Sequence, residues 1–509
     1  MKNRLFRFFI LLAIVVSSVG NVRAQDTVRR VFDTGILDSL NSDILKQKRF
    51  IQVFLPSGYK PDSTDKYDVL YVLDGGNWNT GLIMKIQRFL EDERYIPKTI
   101  VVSIMGIDRN KDLTPTRIDN WETSGGAGKF LGFIKDELIP YINKTYPSNG
   151  DNTLWGHSLG GMFVINALLN APQTFKSYIA VDPSLWWDNC YIQRIAATKL
   201  PAMEGLNATL YISGREGKEG EGMKIDSMNA VLKRQAPTGL SWKSVNYPDE
   251  THSSIRLKGI YDGLKFSYSW NNGQIEFHPM NGIVQKGEPV KVWYFSDTTK
   301  TYYTLDGTIP TILSDKMQRE ISLTAAARLY VKQFTNRARY DKMRSGDFIQ
   351  GKALLPLSKP GNIQSGGFRY AYYEVQWDKF QGLKDLKPQL TGLTNGDFDT
   401  NKFPRKKDYV LLIDGLLETT EEGYYIFVLD ADTGSKLYLN NQLLIDWQGD
   451  YSSRTYSYIL PLKKGFYHLR LEYPHKTEDF NLKMTYLTPS TLNTKNPKPI
   501  PLNLQYSYK

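Results

Sequence analysis

In "NTLWGHSLGGMFVINALL" (152–169), Ser158 stands between glycines where a short apolar run meets a helical pattern. Gly156 to Gly160 fits Gly-x-Ser-x-Gly, whose small flanking residues permit a sharp strand-to-helix turn that exposes a hydroxyl. "TLW" supplies the entering strand and "GMFVINALL" the departing helix, whose first backbone N–H groups can receive developing negative charge. The chemistry of such an arrangement is nucleophilic acyl transfer.

A serine hydroxyl needs a base, and the α/β-patterned part of the chain holds two histidines, His157 and His252. His157 adjoins Ser158 inside the turn, where its side chain diverges and packs or hydrogen-bonds locally. His252, in "YPDETHSSI", follows the last strand candidate, so the chain order serine, acid, histidine selects it as the base. An acid must then hold and orient the imidazole. "YISGREGKEGEGMKID" (211–226) offers Glu216, Glu219, Glu221 and Asp226 after the penultimate strand. Glu216 is nearest the strand end and is the expected acid; its neighbours and an unaided Ser-His dyad are the alternatives.

These residues need a scaffold, and residues 48–270 alternate strand-like and helical runs, the pattern of a mostly parallel sheet covered by helices. Strands are expected at 49–56, 67–75, 99–106, 153–156, 177–182, 208–213 and 241–248, with a covering helix over 129–146. From about 271 to 338 short alternating runs indicate a small antiparallel sandwich; "KALLPLSKPGNIQSGG" (352–367) reads as a connection, and a second all-β unit follows with a hairpin turning at Asn440-Asn441. With 509 residues, several domains are expected.

The opening "MKNRLFRFFILLAIVVSSVGNVRAQ" has the charged start, apolar run and small-residue cleavage site of a signal peptide ending at Ala24. A periplasmic or secreted protein without a transmembrane segment after signal removal is the expectation. The lone cysteine, Cys190, excludes an internal disulfide framework. Of the net charge of +11, the leader's Lys2, Arg4, Arg7 and Arg23 carry four, leaving +7 spread without a basic arm, so no nucleic-acid partner is expected. The five histidines are too scattered for a zinc cluster, and the scheme requires neither metal nor cofactor.

Residues about 45–268 resemble the esterase family of the α/β-hydrolases that includes feruloyl, acetylxylan and siderophore esterases and S-formylglutathione hydrolases. The resemblance rests on "YVLDGG" (71–76), "GIDRNKDLTPT" (106–116), the Ser158 turn, "DPSLWW" (182–187) and "THSS" (251–254), in that order. It implies an oxyanion hole from the backbone N–H of Leu159 and that of Gly76 or Asn77. It also implies substrate contacts from Arg109, Trp186 and Trp187, although a tryptophan pair can equally be packing.

Residues about 274–338, through "YYTLDGTIPT" (302–311), resemble the C-terminal module of chitobiase, Ig-like and often structural. Residues about 364–489, through "EEGYYIFVLDADTGSKLYLNNQLLIDW" (421–447), resemble a PA14 domain. Sugar-binding PA14 members hold calcium on adjacent aspartates; here Thr433 follows Asp432, which makes that site doubtful.

The expected architecture is a signal peptide (1–24), an α/β-hydrolase three-layer sandwich (25–270), a small Ig-like β-sandwich (271–340), a linker (341–363), a PA14-like β domain (364–490) and a tail (491–509). The leading function is a serine esterase removing acetyl or feruloyl groups from an acylated polysaccharide or oligosaccharide. A periplasmic siderophore (catecholate triester) esterase and a catalytically impaired glycan-binding surface protein are the alternatives.

Overall fold

The computed structural model describes residues 35–269, 274–358, 360–376, 382–383, 386–394, 403–432, 434–447, 455–476 and 482–509. The expected leader lies outside them. Among the described residues no helix is long and apolar enough to cross a membrane.

Strands β1 (Ile36–Ser42), β2 (Gln47–Phe54), β3 (Tyr67–Val72), β4 (Thr99–Ile104), β5 (Ser148–His157), β6 (Ser177–Val181), β7 (Ala208–Arg215) and β8 (Leu240–Tyr247) form one sheet, ordered β1-β2-β4-β3-β5-β6-β7-β8. The β1–β2 and β2–β4 pairs are antiparallel, and every pair from β4 to β8 is parallel. All residues of β3, β4 and β6 are buried, as parallel strands covered on both faces require. One face packs Ile83, Ile86 and Leu90 of the helix Asn77–Asp92 with Ile255, Ile260 and Leu264 of the helix Ile255–Tyr268. The other packs Phe130, Ile134, Met162, Phe163 and Ile192. The expected helix over 129–146 is three joined segments, with a π-helical stretch, Phe133–Leu138, between α-helical Ala127–Gly132 and Ile139–Thr145. β1 has no counterpart among the expected strands: its polar ILDSLNS becomes a strand by pairing with β2.

Among the described residues of the remaining chain the regular structure is strands with short 3-10 turns, and the expected units are joined more closely than the sequence implies. A nine-stranded sheet contains strands of both, and its seam is Asn281–Val284. That strand pairs in parallel with Lys342–Gln350 on one side and with Thr455–Leu462 on the other. Gly282 is required there, since a Cβ would sit 2.3 Å from the Ile459 carbonyl oxygen. The expected linker 341–363 therefore contains a sheet strand, and the expected tail 491–509 contains Gln505–Tyr508, which pairs with Tyr409–Thr419 and Ile363–Ser365. Both stretches are polar enough to read as loops; Lys342–Gln350 pairs with the nearby Ala327–Gln333 as well as with the distant Asn281–Val284, and Gln505–Tyr508 pairs with strands far away in sequence. The hairpin turns at Asn440 (φ 46°) and Asn441 (φ 64°), the left-handed pair that a two-residue turn demands.

The β region is also pinned to the eight-stranded sheet of β1 to β8. Arg337, buried, lies across the N-terminal ends of β3, β5 and β6, where it pairs with Asp68 and donates to Thr153 Oγ1 (2.5 Å), Ser177 Oγ (2.9 Å) and Tyr268 Oη (3.1 Å). Its guanidinium stacks 4.0 Å from the Tyr268 ring centroid. Tyr340 and Tyr268 donate to the same Asp68 carboxylate, at 2.5 and 2.9 Å. Removing one partner of a buried pair leaves the other charge without compensation, a loss of about 3–5 kcal/mol. Arg337→Met is therefore expected to lower the stability of the α/β domain by that amount. Denaturant unfolding of the full chain, followed by tryptophan fluorescence, measures it; a shift of less than about 1 kcal/mol would show that the pair is a marginal contact.

Candidate active site

β5 ends at His157 and the helix Leu159–Asn170 begins one residue after Ser158, which takes φ 61° and ψ −119°. A side chain held in this sparsely populated region costs of order 1–3 kcal/mol, supplied by the surrounding fold. The Ser158 N–H donates to Val181 O (2.9 Å), and its carbonyl accepts from the N–H groups of Met162 (3.0 Å) and Ser184 (3.1 Å). The glycines are needed for clearance: a Cβ on Gly156 would lie 2.3 Å from Gly160 O, and one on Gly161 would lie 2.9 Å from Val181 O. The Ser158 hydroxyl meets that of Ser184, a buried residue that sequence reasoning did not single out, at 3.3 Å.

His252, on the loop between β8 and the helix Ile255–Tyr268, directs Nδ1 at Asp182 Oδ2, 2.7 Å away. Asp182 is wholly buried at the end of β6 (φ 41°), and its N–H donates to Ser213 O (2.7 Å). The carboxylate on the imidazole is thus Asp182 and not the expected Glu216. β7 continues through Arg215, two residues beyond its expected end, so Arg215 turns inward and Glu216 leaves the sheet exposed, with its N–H on Tyr247 O (3.1 Å). Glu219 is also solvent-facing and accepts from Arg215 Nη1 (2.9 Å). The available signal was position: in "SYIAVDPSLWW", Asp182 follows its strand as directly as Ser158 follows its own.

Instead of the expected local bond, His157 finds its partner across the site on the histidine loop. Its Nε2–H donates to the His252 carbonyl (2.6 Å), and the two rings lie 4.4 Å apart. Burial, then the neighbouring His252, pushes its pKa down to about 3, so the ring is neutral and props the histidine loop.

Leu159 is the first residue of its helix, where a backbone N–H has no intrahelical acceptor. Of the two candidates on the other loop, Gly76 donates its N–H to Thr80 Oγ1 (3.1 Å), whereas Asn77 opens the helix Asn77–Asp92 with an N–H in the same terminal situation as Leu159. Arg109 bridges the two segments, with Nε 3.1 Å from Asp74 Oδ1 and Nη2 donating to His157 O (3.2 Å). Burial raises the Asp74 pKa and Arg109 opposes the shift.

The tryptophan pair divides. Trp187 is buried, donates from Nε1 to Thr116 Oγ1 (3.0 Å) and packs edge-on against Trp121, so its contacts are those of a core residue. Trp186 is 40% exposed. Behind it Asp188, Asn189 and Cys190 all adopt left-handed φ (44°, 52° and 62°), with Arg194 donating to the carbonyls of the first two.

Among the described residues no group of three or more His, Cys, Asp or Glu could hold a metal ion. In the distal β region Asp432 accepts from Tyr473 Oη (2.8 Å) and faces His475 Nδ1 (2.5 Å), so protein donors already engage this carboxylate; Thr433 lies outside the described residues.

Residues 42–230 match the profile of the family described as "Putative esterase", and residues 374–499 match that of the PA14 domain. The chain carries an α/β-hydrolase esterase domain and a PA14 domain. It is similar to the ferri-bacillibactin esterase BesA of Bacillus subtilis, with 30% identity over 166 residues, 29% of this chain and 57% of that protein. It is also similar to a siderophore enterobactin esterase of Emericella nidulans, with 37% identity over 105 residues, 18% of this chain and 34% of that protein. A solved IroE-like serine hydrolase from Shewanella oneidensis is 31% identical, with 45% of this chain and 78% of that one covered and a TM-score of 0.43. The chain spans only about a third to somewhat over half of the length of these curated relatives.

Because His157 is held neutral, its ring resonances are expected to stay unchanged from about pH 8 to about pH 5, whereas an exposed histidine titrates within that window. Proton NMR of the histidine ring signals, assigned by His157→Gln, checks this; a His157 midpoint near neutrality would remove its assignment as a neutral prop.

Proposed function

We propose that the chain is a serine esterase in which Ser158 is the nucleophile, His252 the general base and Asp182 the orienting acid, and that its substrates are siderophore-type esters. The observation that carries this reading is the His252 Nδ1 to Asp182 contact of 2.7 Å, made by a buried carboxylate beside the strained serine turn. Nδ1–H on the carboxylate leaves Nε2 as the acceptor for the serine proton. In this unliganded arrangement the Ser158 hydroxyl rests on Ser184; contact with Nε2 belongs to the substrate complex, where such bonds tighten.

Attack by Ser158 Oγ on the ester carbonyl then forms a tetrahedral oxyanion, and the N–H groups of Leu159 and Asn77, each at the first position of a helix, are the donors assigned to it on this reading. His252 passes the proton to the departing alcohol. Water, deprotonated by the same imidazole, releases the acid and restores the serine.

Two side chains bear on the substrate. The exposed face of Trp186 offers a stacking surface for a flat aromatic acyl group, and the half-exposed Arg109 offers donors to its phenolic oxygens. The names of the curated relatives, which concern bacillibactin and enterobactin, favour a siderophore ester over the polysaccharide ester expected from the appended modules. A glycan ester stands as the second reading because of the PA14 match. The small β module acts as a structural bridge, a role supported by the Arg337 anchor. The leader sequence favours action in the periplasm or outside the cell.

Purified full-length wild type and Ser158→Ala are to be compared on a short-chain aryl ester, acetylated xylan, feruloylated arabinoxylan and a catecholate triester. Serine-dependent turnover with preference for the triester is expected; preference for an acylated glycan selects the second reading, and no turnover at all selects a catalytically impaired binding protein. Asp182→Asn should lower kcat by about 10⁴-fold, while Glu216→Gln should stay within about threefold of wild type. Equal losses in the two variants would return the acid role to the loop after β7. Trp187→Ala should cost about 3–5 kcal/mol of stability, whereas Trp186→Ala should raise KM for aromatic esters and leave the unfolding midpoint in place.

A further inference from the structure

We propose that Arg215 is a positioning residue that sets how tightly the Asp182–His252 pair holds a proton, acting through one shared carboxylate oxygen; this rests on the serine-esterase reading above. Arg215 Nε donates to Asp182 Oδ2 at 2.6 Å, and His252 Nδ1 meets the same atom at 2.7 Å. The other oxygen, Oδ1, is buried and has no hydrogen-bond partner. Neutralising the carboxylate would be served equally by that vacant oxygen. Instead the guanidinium and the imidazole divide one atom, so each weakens the hold of the other.

Burial makes the competition matter. The Asp182 and Arg215 side chains are 0% and 6% exposed, so little water screens their charges. The outer partner of Arg215, Glu219, is 86% exposed, and its charge is correspondingly attenuated.

Other groups facing the imidazole do not cancel the effect. His157, from the end of β5, is neutral. Arg256, from the helix after the histidine loop, is tied to Asn79 Oδ1 (2.7 Å) and Ser253 O (2.8 Å). Glu250, on the histidine loop itself, is paired with Lys258 at 2.7 Å. Arg215 is the cation bonded to the very oxygen that would hold an imidazolium.

Removing that cation lets the pair bind its proton more tightly, whether the proton is counted on nitrogen or on oxygen. Catalysis needs the unprotonated imidazole. Loss of Arg215 therefore moves the acid limb of the kcat/KM profile to higher pH.

The test uses the full chain and a short-chain aryl ester, with kcat/KM measured from about pH 5 to about pH 9 for wild type, Arg215→Met and Arg215→Lys. The methionine variant is expected to move the acid limb up by about one pH unit, a roughly tenfold loss below the limb and a smaller one on the plateau. The lysine variant, which keeps the charge, should hold the limb within about 0.3 unit of wild type even if its plateau falls. If Arg215→Met does not fold, Arg215→Gln provides the uncharged comparison. An unmoved limb in an uncharged variant whose turnover still requires Ser158 overturns this inference alone, as does a lysine variant shifted as far as methionine. Turnover that survives Ser158→Ala overturns the esterase reading and this inference with it.

Discussion

A carboxylate with no access to water must find donors in the protein to replace its hydration, and Asp182 finds an imidazole and a guanidinium on one oxygen. Much of the site's geometry follows from holding this group in place. Asp182 follows Val181, whose carbonyl receives the Ser158 N–H, and the Ser184 N–H returns to the Ser158 carbonyl. The ends of β5 and β6 are thereby laced together, and both residues that leave them, Ser158 and Asp182, have positive φ. His252 arrives from a distant loop and is held twice, at Nδ1 by Asp182 and at its carbonyl by His157.

The same strands carry a second buried ion pair at their other end. Asp68 is the second residue of β3, Thr153 and Ser177 lie on β5 and β6, and Arg337 from the β region closes over all three. One end of the sheet therefore exposes a strained serine while the opposite end is filled by a side chain from beyond the hydrolase domain. The requirement is electrostatic: without Arg337 the buried Asp68 would keep only neutral donors, Tyr268, Tyr340 and Asn149.

The β region is similarly interdependent. Its two expected units contribute strands to one sheet through Asn281–Val284, and the buried set around Phe277, Val292 and Leu329 includes Ile426, Val428 and Ile459 from the distal unit. Shared backbone hydrogen bonds and shared apolar packing make the small module a bridge, anchored to the hydrolase at Arg337 and to the distal β-sheets at Gly282.

What the sequence determined by itself was local: alternation and apolar runs indicated β2 to β8, the glycines around Ser158 announced the turn, and chain order selected His252 over His157. These features depend on sterics and periodicity within a few residues. The acid was decided only by tertiary structure, because which carboxylate reaches His252 depends on where β7 ends and how β6 and β8 are spaced across the sheet. The division of Trp186 from Trp187 depended likewise on Thr116 and Trp121, some 70 residues away in the chain. Arg337 in the β region and Asp68 in the first parallel strand carry no local sequence signal of their pairing. Folding removed both from water, and a buried charge must have a partner wherever in the chain that partner lies.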